Sequence, residues 1–422
     1  MRQRTFQRSA LISVMLLAVA MVYWFALGGC NSGGFDSPST TSTSALLPAE
    51  TLKAWVDQGK VNGEGYDRVV ILNVTDNAAL YAAEHIPGAQ LLDWNTDVWQ
   101  TRIEGLAPDV NMVPEGSLMD GVIQRSGIDQ NTTIVFTSTN MLHAARAYFT
   151  FRYWGFPRER LKMLDGLNGA WKALFPMATE VPVVTPSAYS VRKNGTLRSD
   201  LRASLGEMMA VAADSDPDTV IVDGRSAATA GSYAGTPKST AGVFAPTGDY
   251  TVFEGRMKGA KALQYSNLYS SNSFRAFDNI VLQFAAIGVD GSKTTYVHCR
   301  TGVIASVLFF ALDGILGWDT VLYDGSWSQW GAMGDVAKNG VLAASSPWRT
   351  DKGTYSDLIV YNADNSALVE TLPVDNLAVL MYTSPADPRA NQIEKEDAAY
   401  MTGGSGASGG GTTTGGGGGG GC

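Results

Sequence analysis

Sulfur chemistry in this 422-residue chain has three addresses, Cys30, Cys299 and Cys422. Three cysteines cannot build a disulfide framework. The three histidines are dispersed, which argues against a multi-His metal site; no metal and no cofactor is expected. Cys299 lies in KTTYVHCRTG (293–302), a short β-rich run, and is followed by the helix-like VIASVLFFALDGILGW (303–318). That pattern predicts a strand-to-helix loop made of Cys299, Arg300, Thr301, Gly302, Val303, Ile304 and Ala305. Backbone N–H groups in such a loop, with the helix N-terminus behind them, form an anion cradle. A thiolate is favoured near helix N-termini and cations, and Arg300 adds a positive charge. Gly302 permits tight curvature. A thiol placed this way is suited to covalent catalysis in two steps, with ping-pong kinetics. The reading that competes with it is a buried, inert cysteine.

His298-Cys299 also matches the start of a phosphatase loop, which requires an arginine where this chain has Ala305. Without that guanidinium, phosphate has no bidentate grip.

The elements around this loop occur twice. The first copy runs RVVILNVTD (68–76), HIPGAQLL (85–92), TTIVFTSTN (132–140), MLHAARAYFTFRYWGF (141–156) and LKMLDGLNGAW (161–171). The second runs DTVIVDGR (218–225), GRMKGAKAL (255–263), the Cys299 segment and TVLYDGSWSQW (320–330). Short β-rich runs alternate with helical periods, which predicts parallel α/β units. A spacing of about 160 residues between copies is that of domains, not of a solenoid repeat.

HIPGA (85–89), the degenerate GRMKGA (255–260), CRTGVIA (299–305) and YDGSWSQW (323–330) together resemble a tandem rhodanese, a two-domain sulfurtransferase, over roughly residues 66–345. The resemblance implies an α/β fold of two rhodanese-like domains, each a mainly parallel sheet flanked by helices. It implies that Cys299, in the second copy, takes the outer sulfur of a donor such as thiosulfate as a persulfide. A thiophilic acceptor, a thiol or a cyanide-like nucleophile, then removes it. The first copy has TSTN (137–140) where the second has HCRT, so Ser138 or Thr137 replaces the cysteine and that half is expected to be inactive. Thiosulfate-type members read CRKG and mercaptopyruvate-type members CGSG. CRTG shares Arg300 with the first. Asn95 and Asn111 align with the relay Asp and His of the second type, and neither can act as a general acid or base.

Arg225 matches the family's arginine at the end of the domain's first strand. It is expected either to face an anionic donor or to pin a turn through Asp223. Arg256 and Lys258 replace the family's His and Pro and either add positive field or decorate a loop. Trp327 is expected in core packing or on the cleft wall. His85 is read as a turn cap and His143 as a surface or domain-interface residue.

Arg2, Arg4 and Arg8 precede an almost unbroken apolar run, Ala10 to Leu27, and then LGGC (27–30). This predicts a secretory signal. LGGC resembles a bacterial lipobox, which implies lipidation of Cys30, an extracytoplasmic body and, with Asn31 next, the outer membrane. The expected organisation is signal peptide 1–29, tether 30–45, inactive domain 46–180, catalytic domain 187–350, extension 351–402 and Gly-rich tail 403–422. SDLIVYN (356–362) and LAVLMYTSP (377–385) read as strands in the extension. The whole chain has 31 bases and 40 acids. Losing the three N-terminal arginines leaves 28 against 40, a charge of −12, which argues against a nucleic-acid partner. Cys422, on a tail reaching about 25 Å, either accepts sulfur from Cys299 or is a cross-linking thiol. The function class set against the enzyme is a non-enzymatic lipoprotein that binds or traffics sulfur or selenium species with a membrane or redox partner.

Overall fold

The computed structural model describes residues 44–104, 108–213, 216–226, 257, 259–332 and 388–403. Cys30, Arg256, Lys258, Cys422 and the two strand-like runs of the extension lie outside them. Among the described residues no helix is long and apolar enough to cross a membrane.

Continuous apolar runs make the two central strands of the first half, β2 (Val69–Thr75) and β6 (Thr133–Ser138), as expected for strands covered on both faces. With β1 (Leu46–Leu47), β3 (Gln90–Asp93) and β7 (Leu161–Leu164) they form a parallel sheet in the order β1-β7-β6-β2-β3. Helices α1 (Ala49–Asp57), α2 (Ala78–Ala83), α3 (Gly116–Arg125), α4 (Met141–Tyr153) and α5 (Leu167–Leu174) accompany it. An antiparallel pair, β4 (Gln100–Ile103) and β5 (Pro108–Met112), extends from this half.

The second half repeats the plan. After α6 (Leu205–Ala213), strands β8 (Thr219–Asp223), β9 (Lys261–Ala262), β12 (Thr294–His298) and β13 (Thr320–Leu322) form a parallel sheet in the order β13-β12-β8-β9. A small hairpin, β10 (Tyr269–Ser270) and β11 (Ser273–Phe274), precedes α7 (Phe277–Ala285). Helix α8 (Ala305–Phe309) winds on in π form through Phe310–Leu316, and Gly317 ends it in the left-handed region. After β13 comes α9 (Ser326–Ala332).

The two halves meet through α4 and α8, the helices that follow the central strand of each sheet. Phe149 meets Phe309 edge-on at 5.0 Å between centroids, and Tyr148 meets Phe310 at 4.8 Å. Helix α4 is therefore buried all round, against its own sheet and against the other half, and its polar residues are buried with it. Arg152 and Tyr148 cross to Asp313, with hydrogen bonds of 2.9 Å from Nε and Nη2 and 2.6 Å from the tyrosine hydroxyl.

A last helix, α10 (Gln392–Met401), was not predicted from the sequence. Asp397 takes both nitrogens of Arg102 at 2.9 Å, and the Tyr153 hydroxyl at 2.8 Å. Tyr400 packs where a Cβ on Gly116 would stand, 2.1 Å from its ring, so only glycine admits the helix there.

Candidate active site

Parallel strands bring their C-terminal ends to one edge, where ligands bind in open α/β sheets. In the second sheet His298 is in register with Asp223, and Val297 with Leu322. The residues that follow, Cys299, Gly224-Arg225 and Tyr323-Asp324, are thus delivered to one place.

Six residues, Cys299 to Ile304, separate β12 from α8. Cys299 is fully buried. Its N–H donates to Ser326 Oγ (3.1 Å), whose hydroxyl donates to the Tyr323 carbonyl (2.8 Å). The start of α9 closes on the loop from the other side, with Trp327 N–H donating to the Cys299 carbonyl (3.1 Å) and Ser328 N–H to that of Arg300 (2.9 Å). Ser326 holds φ at +51° to do this, a conformation costing roughly 1 kcal/mol or more for a non-glycine residue. Gly302 is at φ +78°, and a Cβ there would stand 2.5 Å from the Asp324 carbonyl oxygen. The loop curls back against the DGSW turn at this point, and glycine is required on both counts.

Among the described residues, the N–H groups of Thr301, Gly302, Val303, Ile304 and Ala305 donate no hydrogen bond to the protein. They lie at the start of α8, ahead of the first backbone bonds of the turn, Ser306 to Val303 and Val307 to Ile304. Val303, Ile304 and Ala305 are buried, while Arg300 and Thr301 are partly open.

Arg225 is not turned outward as a donor-facing cation. Its Nε donates to both oxygens of Asp223 at 3.0 Å and its Nη2 to Oδ2 at 2.6 Å, so the turn-pinning arrangement is the one found. Burial would push the Asp223 carboxyl up, but Arg225 and neighbouring His298 hold it below the usual carboxylate range. The Arg225 guanidinium lies over the Trp327 ring at 5.3 Å, and Trp327 is wholly buried, so it packs rather than lining an open wall. His298, also buried, points to Asp223 (Nε2 to Oδ2 3.6 Å), with its Nδ1 3.2 Å from the Cys299 carbonyl oxygen. Burial pushes its pKa down, favouring the neutral ring.

Behind the loop lies a buried cluster, drawn from both halves, that sequence reasoning missed. Asp324, backing Gly302, is fully buried. It accepts from Arg202 Nε and from the Val113 N–H at 2.9 Å each. Arg202 also holds Glu104, 2.9 Å from its Nη2. Arg146, from α4, reaches this cluster. Its Nη2 donates to the Asn111 carbonyl and lies 3.7 Å from Asp324 Oδ2. Asn111 is thus beside the site through its backbone, whereas Asn95 is exposed at a helix start. A signal for Arg146 was present in MLHAARAYFTFRYWGF: an arginine in a helix apolar on every face must be buried with a partner. His143 is buried, stacked on Trp94 at 4.2 Å, which corrects the surface reading. His85 is fixed between the carbonyls of Tyr81 (2.8 Å) and Glu180 (3.0 Å).

The comparisons with known proteins agree with this geometry. No family model matches the chain. It is 26% identical over 275 residues to the sulfur carrier protein TtuD of Thermus thermophilus, covering 63% of this chain and 89% of that protein. It is 26% identical over 305 residues to a putative thiosulfate sulfurtransferase of Haloferax volcanii, covering 70% and 96%. The crystal structure of SseA from Escherichia coli, a 3-mercaptopyruvate sulfotransferase with the "rhodanese" fold, superposes with a TM-score of 0.52 at 19% identity, over 67% of this chain and 99% of that one. Two parallel α/β sheets of this kind are the rhodanese fold in tandem. The chain has the rhodanese fold, is similar in sequence to tandem rhodaneses, and is a sulfurtransferase.

Proposed function

We propose that the protein moves sulfane sulfur from thiosulfate or a related anion to a thiophilic acceptor through a persulfide on Cys299. The observation that carries this reading is the run of N–H groups from Thr301 to Ala305, unengaged by the protein and beginning two residues after a buried thiol. The Cys299 thiolate attacks the outer sulfur of thiosulfate. A new S–S bond forms on Cys299, the old S–S bond breaks, and its electron pair leaves with sulfite. The charge stays on the terminal sulfur of the persulfide, where the N–H ring stabilises it. The acceptor, cyanide in an assay, attacks that sulfur and returns Cys299 as thiolate. The N-terminal sequence supports an extracytoplasmic, outer-membrane protein held by lipid on Cys30. A Cys30→Ser variant should then leave the membrane fraction.

The test is thiocyanate formation from thiosulfate and cyanide by reduced protein, with the intact mass measured after thiosulfate alone. Wild type should turn over and gain one sulfur, and Cys299→Ser should do neither. Turnover surviving in Cys299→Ser would overturn the mechanism. A folded, reduced wild type that gains no sulfur would favour the binding and trafficking role.

A further inference from the structure

Resting on the reading just given, we propose that Arg146, carried by the half without a cysteine, is a positioning residue that supplies fixed counter-charge to the anionic sulfur on Cys299. Three observations converge on it. Its side chain is fully buried, yet Nε and Nη1 make no hydrogen bond, although such groups are nearly always satisfied. Among the described residues its charged neighbour within ion-pair reach is Asp324, which is already held by Arg202 and the Val113 N–H at 2.9 Å, while Arg146 stands off at 3.7 Å. Arg146 thus shares that carboxylate at the edge of hydrogen-bond reach, and Arg202 holds it more closely. Asp324 is also the residue whose backbone abuts Gly302, so a single residue links the guanidinium to the Cys299 loop.

The electrostatics run the same way. Burial pushes the Arg146 pKa down to about 10; Asp324 opposes that fall, Arg202 adds to it, and Cys299 opposes it. The loading step brings a thiolate against a dianion and leaves a persulfide beside sulfite. At each stage negative charge exceeds what one loop of N–H groups meets alone. The cysteine-less half would thus remain part of the reaction by lending the charge that its partner's own pair, Arg225 with Asp223, has committed elsewhere.

The experiment measures the pH dependence of single-turnover sulfur loading, followed by intact mass, in wild type, Arg146→Met and Arg146→Lys. Thermal melts of each variant establish that it is folded. In Arg146→Met the acid limb of loading should move to higher pH by about one unit, so that loading at neutral pH falls about tenfold. Arg146→Lys, which keeps the charge, should recover most of it. An acid limb unmoved in Arg146→Met, or Arg146→Lys no better than Arg146→Met, would make the residue architectural only and overturn the proposal. If Arg146→Met does not fold, Arg146→Gln with Asp324→Asn removes both charges of the pair together and is compared with Asp324→Asn alone. The same displacement of the limb between those two supports the proposal, and its absence ends it. Failure of wild type to load sulfur would instead sink the persulfide reading, so the two failures are distinguishable.

Discussion

The same junction, central strand into helix, is built in two ways in the two halves. In the first, only Thr139 and Asn140 separate β6 from α4. Ser138 Oγ accepts the Asn140 N–H (2.9 Å), and Asn140 Oδ1 accepts that of Leu142 (3.0 Å). The helix start is closed by the side chains that precede it, and β6 is tied down by Ser138 Oγ on the Val74 carbonyl and Thr137 Oγ1 on Asn168, 2.7 Å each. In the second half six residues fill the gap, and the N–H groups of the last four, Thr301 to Ile304, donate to no described protein group. A helix N-terminus must satisfy its N–H groups with something. One half satisfies them with Asn and Ser; in the other no described protein group does so. What replaced the cysteine in the first half is a capped helix, and capping is the opposite of a binding site.

Gly302→Ala is the sharpest way to break the open junction. The added Cβ meets Asp324 backbone at 2.5 Å, and φ +78° disfavours any side chain. Displacing the loop by an ångström should cost roughly 100-fold in turnover, read in the thiosulfate–cyanide assay. Asp397→Ala tests whether the two halves are held in register by α10. It leaves Arg102, buried and hydrogen-bonded to Asp397 by two nitrogens, without its main partner. Stability should fall by about 3–5 kcal/mol, measured by denaturant unfolding. Asn140→Ala attacks the closed junction and should lower stability by about 1 kcal/mol while sulfur transfer is unchanged.

The last test is a pH dependence. Burial pushes Glu394, on α10 near Arg202, up to about 8 from 4.5, with Glu104, Glu207 and Asp324 adding to the rise and Arg202 opposing it. The folded protein therefore keeps this proton where the unfolded chain has lost it. The stability this contributes is complete below pH 4.5, declines as pH rises, and is gone above about 8. Melting temperatures of Glu394→Gln should decline less than those of wild type across that window.

The sheets, their repeat and the Cys299 loop were legible because each rests on local pattern: apolar runs, a glycine, a strand-to-helix change of period. Arg225 was legible as a residue of interest, though which of its two roles it plays depends on where the Asp223 carboxylate turns. The shell behind the loop was not legible. Arg202 and Asp324 are 122 residues apart, and Arg102 and Asp397 295 apart. A pair so separated leaves no trace in spacing, and the acids and bases that form it are indistinguishable in sequence from a solvated surface. Helix α10 was missed for the same reason: its first turns, QIEKEDAA, read as polar, and its buried face pairs Ile393 with an aspartate, Asp397.

That closing contact has a consequence for how the molecule comes into being. Arg102 is synthesised 295 residues before Asp397. Until that helix is made, the arginine lacks its carboxylate partner. A chain cut short before residue 397 would keep the cysteine and its loop but leave Arg102 without Asp397.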